Sequence, residues 1–179
     1  LTAGVQAQSA TEALRDVITI TATKRPEGAD VQDVPIAVTA YSADQLAALQ
    51  FRDISSLSYL IPNVQLEDIG TAPGIANFSI RGMGVNSSIP GNDPTVGYFV
   101  DGMYYGINAG VVIDNFDIEG IEILRGPQGV LFGRNVTGGA VVVRTTTPTD
   151  EFHFSGRAAV ETGLRYVASA SVSGPLIDT

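Results

Sequence analysis

Hydrophobic and polar positions fall into a readable order from Val34 onward. In "VPIAVTAY", Ile36, Val38 and Ala40 lie on one side, the period-two spacing of a half-buried strand. Ser42 and Gln45 then stand three apart ahead of Leu46 and Leu49, a capping box that opens a short helix. Asp53 reads as a second N-cap, with Ile54, Leu57, Leu60 and Ile61 along one helical side and Pro62 ending the run. Alternation returns in "NFSIRG" through Phe78 and Ile80.

Residues 82–95, "GMGVNSSIPGNDPT", predict a long polar loop. Loops longer than about 12 residues in a compact domain are usually functional or disordered. "VGYFVDGMYYG" follows, with Asp101-Gly102 between two apolar runs, which predicts a hairpin closed by a type I′ turn. "INAG" forms a second loop. "GIEILR" and "GAVVVRTT" are two further strands, and between them lies a stretch dense in glycine. Pro127 stops the first strand, because it restricts Gly126 and offers no ladder donor. "PQGVLFG" has room for a single helical turn with Pro127 in its first position. Gly138-Gly139 would let the chain re-enter a strand at close backbone approach. Through about Pro148 the pattern is α+β, with two short helices and about five strands.

Past Pro148 the character changes. "EFHFSGRAAVE" sets Phe152, Phe154, Gly156, Ala158 and Val160 against His153, Ser155, Arg157 and Glu161. "LRYVASASVSG" repeats the division, with Leu164, Tyr166, Ala168, Ala170 and Val172 on its apolar side. Two strands of about ten residues joined at Thr162-Gly163, apolar on one face only, match the pattern of transmembrane β-barrel strands. Two strands close no barrel, so the chain reads as the N-terminal piece of something longer.

Charge and composition narrow the chemistry. The chain has 179 residues, of which 16% are charged and 44% hydrophobic; about 25% charged is usual for a soluble domain. A net charge of −9 without a basic cluster argues against nucleic acid. Without cysteine there are no disulfides, thiolate metal sites or cysteine nucleophiles. The glycine-dense stretch is no P-loop, since no lysine follows Lys24. Gly82-Met83-Gly84 lacks the third glycine of a dinucleotide fingerprint. His153, the single histidine, sits in a barrel-like strand as a lumen-facing polar residue. Asp114, Asp117, Glu119 and Glu122 lack calcium-loop spacing and read as a solvated acidic edge. No catalytic constellation, metal site or cofactor is expected.

Two features precede the domain. Val5-Gln6-Ala7 fits a small-x-Ala cleavage site, so residues 1–15 are either the tail of a secretory signal or a disordered N-terminus. "DVITITA", from Asp16 to Ala22, is β-branched and stands apart from the core pattern. It is an ordinary first strand or an exposed segment able to extend another protein's sheet edge.

Ile121–Val143, "IEILRGPQGVLFGRNVTGGAVVV", resembles the closing motif of the plug domain of TonB-dependent outer-membrane receptors. "DVITITATKR" at 16–25, "IRGMG" at 80–84 and "VDGMYYG" at 100–106 occur in that family's order and spacing. The resemblance covers Asp16 to about Pro148. It implies a plug domain at 31–148 with a small mixed β-sheet, short helices and long apical loops. The first antiparallel hairpin of a transmembrane β-barrel would follow at 151–179, in a barrel of about 22 strands. Residues 16–25 would be the TonB box and linker. Asp16, Val17, Ile18, Thr19, Ile20, Thr21 and Ala22 would add as a strand to TonB, which is energised by ExbB–ExbD. Arg81 and Arg125 match the family's R-G arginines and would lock the plug to glutamates of its own C-terminal barrel. Asn86, Ser87, Asn92, Asp93, Tyr104, Tyr105 and Asn108 would face the extracellular side and contact substrate. The implied function is active import across the lipid outer membrane of a Gram-negative cell, with ferric siderophores the most frequent substrate of the family. The alternative is a passive plugged porin or surface-binding protein not coupled to TonB.

Overall fold

A computed structural model gives the architecture, and it describes residues 19–20, 29–30, 34–49, 51, 53–69, 72–85, 92–106, 117–147, 150–161 and 165–175. The strands are β1 (Thr19–Ile20), β2 (Ala29–Asp30), β3 (Val38–Ser42), β4 (Val64–Ile69), β5 (Ala72–Ile80) and β6 (Met83–Gly84). After them come β7 (Val96–Val100), β8 (Met103–Tyr105), β9 (Ile118–Arg125), β10 (Gly139–Thr145), β11 (His153–Glu161) and β12 (Arg165–Ser173). Helix α1 spans Ala43–Ala48, a 3-10 helix spans Ile54–Tyr59, and α2 is a single turn at Gly129–Phe132.

The centre is a five-stranded sheet in the order β3-β9-β10-β7-β8. β10 runs parallel to β7 and antiparallel to β9, so the last plug strand inserts between two earlier ones. Strands covered on both faces read as continuous apolar runs, and every residue of β7 is buried. On one face Tyr98, Ile121, Ile123 and Val141 pack against Leu46, Leu57, Leu66 and Ile80 from α1, the 3-10 helix and the β4–β5–β6 sheet. On the other, Phe99, Leu124, Ala140 and Val142 pack against Val136 and Phe132 of the α2–β10 crossover.

Local chemistry explains the corners. The capping box forms: Ser42 Oγ accepts from Gln45 N at 3.4 Å and Gln45 Oε1 accepts from Ser42 N at 3.3 Å. Asp53 Oδ1 accepts from Ser56 N at 3.0 Å. Asp101 and Gly102 have φ of 48° and 81°, the positive pair a type I′ turn requires. The Asp101 carboxylate then accepts from Thr145 N and Thr145 Oγ1, each at 2.8 Å, and so ties the β7–β8 turn to the end of β10. Gly139 carries the tightest contact. A Cβ there would sit 2.2 Å from Leu124 O, so only glycine admits β10 beside β9.

The structure corrects several sequence-based expectations. The Asp53-capped helix is 3-10 and ends at Tyr59, and Leu60, its C-cap, is exposed, although Ile54, Leu57 and Ile61 are buried. "VQLEDI" forms β4, unforeseen because its acidic residues hide the alternation of Val64 and Leu66, both buried. Loop 82–95 begins with β6, paired to Ser79 and Ile80. Gln128 is the cap of α2, so Pro127 lies outside the helical turn. Glu122 is no solvated edge. It is 1% exposed, with Oε1 3.6 Å from Arg144 Nε, while Glu119 Oε1 lies 3.2 Å from Arg144 Nη1. Asp114 and the proposed turn at Thr162-Gly163 lie outside the described residues.

β11 and β12 pair antiparallel, with Phe154 opposite Val172 and Val160 opposite Tyr166. These four side chains are 68–74% exposed. Ser155 and Ser171 Oγ atoms meet at 2.7 Å, so the pair's cross-strand contacts include polar ones as well as apolar ones.

Two substitutions test this packing by urea unfolding of the chain. Gly139→Ala forces a backbone shift and is expected to cost about 3 kcal/mol; an unchanged midpoint would contradict the close approach. Arg144→Met removes the cation facing a buried carboxylate and is expected to cost roughly 3 kcal/mol. Adding Glu122→Leu should then recover part of that loss.

Candidate functional site

Three groups of expected site residues can be placed. The first is the N-terminal segment. Thr19 and Ile20 pair antiparallel with Asp30 and Ala29, and Ile20 is buried to 1% exposure. Two-residue pairing offers few ladder hydrogen bonds, so this hairpin is held chiefly by burial of one isoleucine. Asp16, Val17, Ile18, Thr21 and Ala22 lie outside the described residues.

The second group is the pair of arginines. Ile80 pairs with Met83, which makes Arg81-Gly82 a two-residue hairpin turn with φ of 54° and 75°. This is again type I′ geometry, and an arginine in the left-handed region costs on the order of 1 kcal/mol relative to glycine. Arg81 N donates to Asn63 O at 2.8 Å. Its Nη1 lies 3.2 Å from the position a Cβ would take on Gly126, the residue after Arg125. The two R-G motifs, 44 positions apart (125 − 81), therefore come together. Arg125 Nε is buried and has no hydrogen-bond partner among the described residues. Two adjacent guanidinium-bearing turns favour carboxylate partners, which accept in bidentate fashion.

The third group divides. Asp93 and Tyr104 converge on Asn135, whose Nδ2 donates to Asp93 Oδ1 at 3.1 Å and to Tyr104 Oη at 2.9 Å. The Tyr104 ring packs on Phe99 at 5.3 Å between centroids, and Phe99 on Phe132 at 4.7 Å. Tyr105 points to the opposite side of β8, edge-on to Tyr98 at 5.9 Å. Burial, and secondarily Tyr105, pushes the Tyr98 phenol above the usual tyrosine range; burial alone does the same to Tyr41. Asn92 is exposed beside Asp93. Asn86, Ser87 and Asn108 lie outside the described residues.

Asn135 itself was not anticipated from the sequence. Its φ of 65° suits asparagine, which tolerates the left-handed region, and "GRN" between a helical turn and a glycine pair was the available signal. A cavity of about 570 Å³ between the 3-10 helix and the β4–β5 hairpin is lined by Ser58, Tyr59, Asn63, Gln65 and Ser79 and contains none of the expected contacts. Among the described residues no group of three or more His, Asp or Glu side chains could hold a metal ion. The arrangement presents hydrogen-bonding and aromatic groups together.

Comparison with known proteins identifies the fold and the family. Residues 30–140 match the family model of the TonB-dependent receptor plug domain. The chain is 27% identical over 147 residues to the pesticin receptor of Yersinia pestis, covering 80% of this chain and 21% of that protein. It is 26% identical over 168 residues to the ferrichrome outer membrane transporter/phage receptor of Escherichia coli K12, covering 82% and 22%. The chain thus spans about a fifth of the length of these curated relatives. The crystal structure of the ferric yersiniabactin uptake receptor FyuA from Yersinia pestis superimposes with a TM-score of 0.67 at 26% identity, over 80% of this chain and 22% of that one. The ferripyoverdine receptor of Pseudomonas aeruginosa, at 19% identity, shares the fold with a TM-score of 0.71 over 90% of this chain and 20% of its own. The match over residues 30–140, more than half of the chain, shows that it belongs to the TonB-dependent receptor plug domain family, whose relatives are outer-membrane receptors.

Proposed function

We propose that this chain is the plug, with the first barrel hairpin, of an active transporter that imports a ferric siderophore. The observation that carries the reading is the plug match over 30–140 with, after β10, a hairpin with exposed Phe154, Val160, Tyr166 and Val172. Such a hairpin gains its stability from neighbouring strands and from lipid. The substrate class follows the relatives, one named for ferrichrome and another for ferric yersiniabactin uptake.

Residues 16–22 are the coupling segment and add as a strand to TonB, driven by ExbB–ExbD; the short β1–β2 pairing offers little resistance to exchange. Plug 31–148 fills the barrel that begins at 151–179. Arg81 and Arg125 brace it against barrel glutamates, which gives the buried Arg125 Nε a destination. Asn92, Asp93, Tyr104 and Tyr105, together with Asn86, Ser87 and Asn108, form the outward recognition surface. The work is binding and gating, with no covalent chemistry.

Deleting residues 16–22 from the full receptor tests the coupling. Chelate binding to the cell surface should persist while uptake of the iron stops. Uptake at the unaltered rate would make the protein a passive plugged channel instead.

A further inference from the structure

One amide joins three stretches that are distant in sequence. Asn135 lies in the crossover from α2 to β10, Asp93 in the residues before β7, and Tyr104 in β8. A carboxylate oxygen accepts, so the atom that faces Asp93 must be the amide nitrogen. That nitrogen carries two hydrogens and offers no lone pair, so Tyr104 Oη accepts the second. The phenol's own proton is therefore turned away from Asn135, and no acceptor meets it among the described residues. Asp93 is exposed and likewise keeps its second carboxylate oxygen available. Packing on Phe99, itself backed by Phe132, limits swing of the Tyr104 ring. A freely rotating hydroxyl thus becomes a fixed donor beside a fixed carboxylate.

We propose that Asn135 is a positioning residue for ligand recognition: it orients the Tyr104 hydroxyl as a donor and Asp93 as an acceptor toward the incoming chelate. The inference rests on the reading of the chain as a siderophore-receptor plug, and it narrows the ligand. The chelate must present an oxygen acceptor to Tyr104 and, next to it, an amine or hydroxyl donor to Asp93. A free amine suits the site best, because a charge-assisted contact to carboxylate is the stronger kind.

The test uses the full receptor in outer membranes. The probes are radiolabelled ferric trihydroxamate and tricatecholate chelates, each with a free terminal amine and in N-acetylated form. Wild type should prefer the amine form of the chelate it takes. Asn135→Ala and Tyr104→Phe should each weaken that binding about tenfold, the effect of one lost hydrogen bond, with the number of surface binding sites unchanged. Because Asn135 acts on the contact through Tyr104, the double variant should lose no more than Asn135→Ala alone, not a hundredfold. Asn135→Gly preserves the backbone at φ 65° and should match Asn135→Ala, which separates misfolding from lost orientation. Wild type that binds a chelate while the Asn135 variants bind it equally well overturns the positioning role and leaves the transport reading standing. Losses that multiply in the double variant also overturn it. Wild type that binds none of the four probes refutes the siderophore reading, and the positioning role with it.

Discussion

The whole domain depends on how β10 enters the sheet. It lies between β7, to which it is parallel, and β9, to which it is antiparallel, and its first five residues are buried. Entry is possible because Gly139 presents no side chain to Leu124 O. The far end is fixed by the Asp101 carboxylate on Thr145. The α2 loop joins β9 to β10 and delivers the strand into this slot, and the same loop displays Asn135. Arg125 precedes the crossover and Tyr104 follows β7 through its hairpin. The candidate functional groups are consequences of one strand insertion.

Much of this was legible in the residues themselves. Alternation located β3 and β5, apolar runs beside turn residues located β7, β9 and β10, and side-chain capping located the starts of both early helices, because each depends on neighbours in sequence. What escaped depends on neighbours in space. Glu122 reads as surface by charge alone; only its register beside Val142 shows that it shares a sheet face with Arg144. Gly120 belongs to the same arrangement, since a Cβ there would meet Arg144 Nη2 at 3.0 Å. Arg81-Gly82 was read as part of a motif, and its turn conformation became visible only once Ile80 was seen to pair with Met83. Asn135 was passed over because a lone asparagine among glycines looks like punctuation, and its two partners lie 42 and 31 positions away.

The candidate functional residues are also where local preference is overridden. Arg81 occupies a backbone region that glycine or asparagine would fill at lower cost. Arg125 keeps a buried donor with no partner among the described residues. The β11–β12 hairpin shows water a row of large apolar side chains. Under the proposed function the last two would be relieved by the same surroundings, a barrel wall with carboxylates inside and lipid outside. That common remedy is the physical argument for reading the chain as one part of a larger transporter.

Energised transport is the central claim, and it can be measured directly in cells that make the full receptor. Uptake of a radiolabelled ferric chelate is followed with and without a protonophore, alongside binding to the cell surface in the cold. The account predicts that the protonophore abolishes accumulation and leaves surface binding intact. Accumulation that continues at the same rate after the proton gradient is collapsed would contradict it.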